Sequence, residues 1–340
     1  MGVPLYGDAP RIVIWETTRA CALACRHCRA KAIPHRNPHE LATKEAYALI
    51  DQIAEIRPPV FVLTGGDPLM RPDLAEIVRY AAERGLRVAI SPSGTGRLTA
   101  RALAELSAAG CRRLSLSIDG PDAETHDAFR GVQGTFARTL RAAEEAVEIG
   151  IELQINTTIA RHNQDKIPEM AALVAHTGAK VWTAFFLVPT GRAQIEECLG
   201  AAEHEAAFAE LFEISQRADF AVKTTEAPHF RRYVAQRVGS DGRPGIGDGR
   251  GFVFISHVGE IQPSGFLPIT AGNVRTDRLF DVYRNDPVMR RLRDPDGFGG
   301  KCGTCEFRTL CGGSRARAYG FTGDPFAAEP CCVYTGGEAA

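Results

Sequence analysis

The sequence predicts an α/β fold, an incomplete (β/α)6 barrel followed by a small α+β domain rich in cysteine. Three observations lead there. Short apolar runs alternate with longer amphipathic ones over about the first two hundred residues, the pattern of repeated βα units and a parallel sheet. A glycine-rich stretch, GSDGRPGIGDGRG at 239–251, then interrupts the pattern. Beyond it come only short elements and a group of closely spaced cysteines. The expected organisation is a barrel over 1–238, a linker over 239–251 and a cysteine-rich domain over 252–340.

Six strands are expected, at 11–15, 60–63, 86–90, 113–118, 151–157 and 181–188, each a run of aliphatic, β-branched or aromatic residues. Helices lie between them. Thr43 is expected to cap a run through 56, Asp73 one that stops at Gly85, and Thr99 one that stops at Gly110. Further helices are expected over about 135–148, 164–176 and 201–216. Six units are too few to close an eight-fold barrel of the TIM type, and chemistry should sit at the C-terminal ends of the strands. After the linker, 252–256 and 260–262 read as a hairpin around Val258-Gly259, with short helices at 279–283 and 288–292.

The 340 residues are 44% hydrophobic, enough for a sizeable core. Forty basic against forty-one acidic residues give a formal charge of −1, so no global field points to nucleic acid or a membrane surface. The opening MGVPLYGDAPRIVIW lacks the charged and apolar regions of a secretion signal, and no apolar run reaches membrane-spanning length. The expectation is a cytoplasmic protein without nucleic-acid or membrane partners. Ten cysteines in such a chain argue for metal binding rather than disulfides. Cys111 and Cys198 stand alone and read as ordinary thiols.

The other eight form two groups. CALACRHC, residues 21–28, places Cys21, Cys25 and Cys28 just after the first strand. Three thiolates can hold three irons of a cubane [4Fe–4S] cluster and leave the fourth iron open. Zinc is the competing reading, with His27 as a fourth ligand. The C-x3-C-x2-C loop between the first strand and first helix resembles the radical S-adenosylmethionine superfamily. That resemblance implies S-adenosylmethionine chelated at the open iron, its reductive cleavage to a 5′-deoxyadenosyl radical, hydrogen abstraction from substrate, and a flavodoxin- or ferredoxin-type electron donor. It also implies that His27 packs on the cluster.

The resemblance extends along the barrel. Thr64-Gly65-Gly66-Asp67-Pro68 is similar to the family's GGEP element, which holds the cofactor's ammonium, with Asp67 replacing the commoner glutamate. Ser93 in Ser91-Pro92-Ser93-Gly94, Ser117 in the segment 115–120, and Arg130 after His126 resemble further cofactor contacts, Arg130 as a bidentate partner of the carboxylate. Asn156 and Thr158 close the fifth strand and would line the pocket.

Cys302, Cys305 and Cys311 give C-x2-C-x5-C, followed by Cys331-Cys332. This resembles the SPASM extension of radical enzymes that modify peptides or tetrapyrroles, and implies an auxiliary [4Fe–4S] cluster. Ser264 and Ser314 stand where further cysteines are often found, so one auxiliary cluster is expected. The ending Glu329-Pro330-Cys331-Cys332 favours Cys332 as its fourth ligand, with Cys331 as neighbour or substitute. A four-thiolate zinc ribbon is the competing reading.

The segments 259–268, 272–275 and 311–319 are most similar to the branch acting on propionate side chains of iron-bearing tetrapyrroles in haem and haem d1 pathways. The resemblance implies oxidative side-chain modification or decarboxylation. Arg315, Arg317 and His257 are the candidate partners for substrate carboxylates, whereas Arg231-Arg232 and Arg290-Arg291 read as exposed helix faces. A ribosomally made peptide is the alternative substrate; about ten residues precede the first strand, too few for a leader-binding domain, which a separate docking protein could replace. An iron–sulfur electron carrier is the non-enzymatic alternative. No general base is assignable.

Overall fold

The computed structural model describes residues 6–336. The first five residues of the opening segment, and the last four of the expected C-terminal domain, lie outside them.

One ten-stranded sheet organises the chain. Its strands are β1 (Ile12–Glu16), β2 (Val60–Thr64), β3 (Val88–Ile90), β4 (Arg113–Ser117), β5 (Glu152–Ile159), β6 (Val181–Phe186), β7 (Ala221–Thr225), β8 (Phe252–Ile255), β9 (Glu260–Gln262) and β10 (Gly272–Asn273). Their order is β10-β9-β8-β1-β2-β3-β4-β5-β6-β7, open at both edges. All six expected strands are present and pair in parallel from β1 to β6. Two additions were not expected: β7 extends the parallel run, and β8 pairs in parallel with β1 at the other side. The glycine-rich stretch therefore does not end the sheet.

Alternation along each strand divides its residues between two faces. In β5, Leu153, Ile155 and Ile159 are buried in the main core, while Gln154, Asn156 and Thr158 on the opposite face are only partly buried. The same core takes Val13 and Trp15 from β1, Phe61 and Leu63 from β2, and Leu49, Ile50 and Ile53 from the helix Thr43–Ile56. Each such side chain contributes about 1.5–3 kcal/mol on burial. The less buried face carries the polar strand residues. Across it Ser117, Asn156, Thr183 and Lys223 are register partners on four successive strands.

Of the three expected helix caps, Thr99 behaves as expected, accepting from Ala102 N at 3.2 Å. Thr43 does not cap its helix; Ala42 is the cap residue, and Glu45 reaches back to its amide. The Thr43 hydroxyl and the Arg71 guanidinium both bond Asp73, whose carboxylate is thereby unavailable to the helix it precedes. A smaller apolar cluster formed by Val188, Leu267, Leu292, Phe298, Cys302, Ala316 and Phe326 anchors the C-terminal region to the end of β6. Among the described residues no helix is long and apolar enough to cross a membrane.

Candidate active site and its two cysteine groups

The loop after β1 is pinned from below by the turn after β2. Gly66 N donates to Thr18 O (2.8 Å) and Asp67 N to Ala20 O (2.7 Å). A Cβ on Gly65 would lie 2.5 Å from Thr18 O, and one on Gly66 2.6 Å from both Arg19 O and Ala20 O. Both glycines are thus required for the close passage of two backbones. On this loop Cys21 and Cys25 are buried and Cys28 half-buried. Each sulfur meets a nitrogen donor: Leu23 N at 3.4 Å from Cys21, Ala32 N at 3.3 Å from Cys28, and Arg130 Nη1 at 3.9 Å from Cys25. Three sulfurs with donors on one loop suit thiolates of a cluster, and burial, which raises the Cys21 and Cys25 pKa values, means that loading it releases protons.

Asp67 occupies the expected place, but its carboxylate is already engaged. It is fully buried and accepts from Leu69 N (3.1 Å), Ser93 N (3.4 Å) and Thr95 Oγ1 (2.7 Å). Burial, opposed by these bonds, raises its pKa. Ser93 donates to Gly66 O at 2.7 Å and lies 3.7 Å from Cys21 Sγ. Arg130 is held by Asp119, its Nε 2.6 Å from Oδ2. Burial alone would raise the Asp119 pKa, but Arg130 leads the interactions that lower it to about 2. Ser117 and Asn156 face each other across β4 and β5, and Asn156 Oδ1 accepts from Gln154 Nε2 at 2.8 Å.

Glu16 ends β1 beneath the loop, wholly buried, bound by Arg29 (2.8 Å), Arg19 (3.3 Å) and His257 Nδ1 (2.9 Å). These partners overcome burial and hold its pKa at about 2. His27 stacks on Phe129 (4.1 Å between centroids), which stacks on His162 (3.9 Å). Burial, reinforced by Arg130, lowers the His27 pKa to about 3, so the ring is neutral.

At the other end of the chain, Cys302, Cys305, Cys311 and Cys332 line one cavity together with His229, Arg232, Lys301 and Glu329. Cys331 is buried but does not line it; its charged neighbours are Arg317, Glu329 and Lys301. Glu329 N lies 3.2 Å and Arg315 Nη2 3.7 Å from Cys302 Sγ, and Gly313 N lies 3.3 Å from Cys311 Sγ. Burial pushes the Cys311 thiol up to about 12. The donor set is all sulfur, with amide and guanidinium groups directed at it, which suits a four-thiolate centre.

Ser264 and Ser314 carry local structure. Ser264 Oγ accepts from Phe266 N and Leu267 N, and Ser314 Oγ accepts from Arg317 N while donating to Glu226.

Several expected roles do not survive. Arg315 is 3% and Arg317 0% exposed. The first is spent on Pro325 O, Ala327 O and Cys302, the second on Glu329 and the Glu226 carbonyl. His257 is equally enclosed against Glu16 and Asn37. Arg232 was expected on an exposed face, yet it is buried and paired with Glu205, whereas Arg231, Arg290 and Arg291 are exposed. Cys111 and Cys198 are buried thiols donating to backbone carbonyls. The sequence does not single out Glu16, Asp119 or His229, and it marks Arg232 only as an exposed cation. Only Asp119 carried a usable signal, through its place in the segment 115–120.

The superfamily model described as Radical SAM matches residues 15–174. The AdoMet-dependent heme synthase of Oleidesulfovibrio alaskensis is 42% identical over 96% of this chain and 88% of that protein. The mycofactocin maturase of Mycobacterium ulcerans is 34% identical over 96% and 88%. Among solved structures, Streptococcus suis SuiB bound to S-adenosylmethionine has the same fold, with a TM-score of 0.74 at 16% identity over 96% of this chain and 78% of that one. With identity at this level along nearly its whole length, a [4Fe–4S] cluster and S-adenosylmethionine as cofactors, and a catalytic rather than an electron-carrying role, the chain belongs to the radical SAM superfamily.

Proposed function

We propose that this enzyme removes carboxylate from propionate side chains of an iron tetrapyrrole, using Cys21, Cys25 and Cys28 for the cluster that binds S-adenosylmethionine and Cys302, Cys305, Cys311 and Cys332 for an auxiliary [4Fe–4S] cluster. When bound, these groups supply a 5′-deoxyadenosyl radical and a site for one electron. The chain's own part is to hold them and to place the substrate. The observation that carries the reading is the convergence of four cysteines on one cavity in a chain 42% identical to a heme synthase.

A second centre answers a need of this chemistry. Removing one hydrogen atom and carbon dioxide from a propionate to leave a vinyl group releases one electron, which must go somewhere other than the first site. The less buried sheet face also suits a flat carboxylated macrocycle. Phe185 and Phe266 meet there at 6.4 Å, Phe254 lies under the Arg29 guanidinium, and Lys223 is exposed on β7 in register with Thr183. Lys223 replaces Arg315, Arg317 and His257 as the candidate partner of a substrate carboxylate. Gly65, Gly66, Ser93, Ser117, Arg130 and Asn156 are proposed to surround S-adenosylmethionine, with Asp67 bracing the turn rather than reaching the ammonium.

The likeness to mycofactocin maturase favours a second reading, modification of a ribosomally made peptide. Anaerobic incubation of the reconstituted enzyme with S-adenosylmethionine, dithionite and an iron porphyrin bearing four propionates separates them. The proposal expects 5′-deoxyadenosine and vinyl-bearing porphyrin. Cofactor cleavage with every propionate intact would overturn it in favour of the peptide reading. The reductant in cells is proposed to be a flavodoxin or ferredoxin.

A further inference from the structure

The helix His229–Val238 follows β7, yet its first turn reaches the cysteine cavity at the far end of the sequence. His229 and Arg232 stand three residues apart on one helix face. Both line that cavity, and they are 0% and 4% exposed. Neither ring nitrogen of His229 completes a well-aligned hydrogen bond, although the Cys331 backbone lies within reach of the ring, and Arg232 Nε is equally unmatched. The other Arg232 nitrogens are occupied by Glu205 and Gln236. A buried donor left unpaired costs about 1–3 kcal/mol, so native structures rarely keep one without a partner. Here two such residues line the same cavity as four cysteines.

We infer that His229 and Arg232 form a donor wall for the auxiliary centre, directing N–H groups of the His229 ring and of Arg232 Nε at its sulfur atoms. The inference rests on the auxiliary-cluster reading above. Hydrogen bonds to sulfur and nearby positive charge stabilise the more negative, reduced state and so raise the reduction potential. The wall belongs to the barrel-side helix, whereas the thiolates come from the C-terminal loops. The substrate half of the molecule thus sets how readily the other half takes up an electron.

The test uses the full chain carrying Cys21→Ala, Cys25→Ala and Cys28→Ala, so that only the auxiliary centre is seen. Its midpoint potential is read by electron paramagnetic resonance during redox titration, for this background and for the same chain with His229→Phe, His229→Gln or Arg232→Lys. The donor wall predicts that His229→Phe lowers the reduction equilibrium at least tenfold, or 59 mV for one electron, and that His229→Gln, which keeps an N–H, recovers part of the loss. Arg232→Lys, which keeps the charge but not Nε, shifts the potential in the same direction by less. Unchanged potentials in iron-loaded variants would overturn the inference, and Arg232→Lys decides alone if the His229 variants do not fold. Zinc in place of iron in the background chain would instead sink the auxiliary-cluster reading beneath it.

Discussion

The two cysteine groups are built on opposite plans. The first sits on a loop stretched over the end of a parallel sheet, with three sulfurs, three donors and a glycine turn beneath. The second is a pocket assembled from distant segments, with four sulfurs facing one cavity and cationic side chains, Arg232, Lys301 and Arg315, around it. A loop that supplies three ligands keeps a coordination position for something from outside. A closed set of four keeps none, and is suited to holding an electron rather than binding a molecule. On the proposed reading, ligand count and enclosure, more than the cysteines themselves, divide the labour.

The sharpest way to break this comparison is to remove part of the second group. Cys302→Ala with Cys305→Ala should leave 5′-deoxyadenosine formation intact and abolish porphyrin product; chromatography of both products checks it, and full product formation would erase the proposed division. A smaller effect is expected at the first group from Asp119→Asn, which leaves Arg130 enclosed without its counter-charge. The loss should be about 3 kcal/mol or more, read from denaturant unfolding.

A third effect, read along pH, lies between the two regions. Burial, with Asp248 adding to it, raises the Glu226 pKa to about 8. Its folded value lies above the unfolded one, so the folded state binds more protons and stability falls as pH rises from about 5 to about 8. Glu226→Gln should flatten that slope, as unfolding midpoints across the range would show. Smallest is Cys331→Ala, for which the cavity geometry predicts no change in iron content, while Cys332→Ala should lose the auxiliary centre.

Much of this was legible in the sequence because periodicity and spacing are local. β1 to β6 announce themselves as apolar runs, and C-x3-C-x2-C fixes the loop. What escaped lacks an apolar stripe. The strand AVKTT of β7 is a short, half-polar edge, and the helices Ala123–Arg130 and His229–Val238 are rich in charge. β8 reads correctly as a strand, but nothing local says that it pairs with β1. The site residues divide in the same way. The cysteines of the first group are set by spacing, and the sequence ending already favours Cys332, the one of the final pair that lines the cavity, whereas the internal engagement of Asp67 and the burial of Arg317 depend on contacts between segments far apart. Arginines look alike in a sequence; only packing separates an internal brace from a cation free to meet substrate.

Iron counted per chain after anaerobic reconstitution tests the central claim most directly. Two unlike centres predict about eight irons in the native sequence and about four once Cys21, Cys25 and Cys28 are replaced by alanine. About four in the native chain, falling to none in that variant, would contradict it.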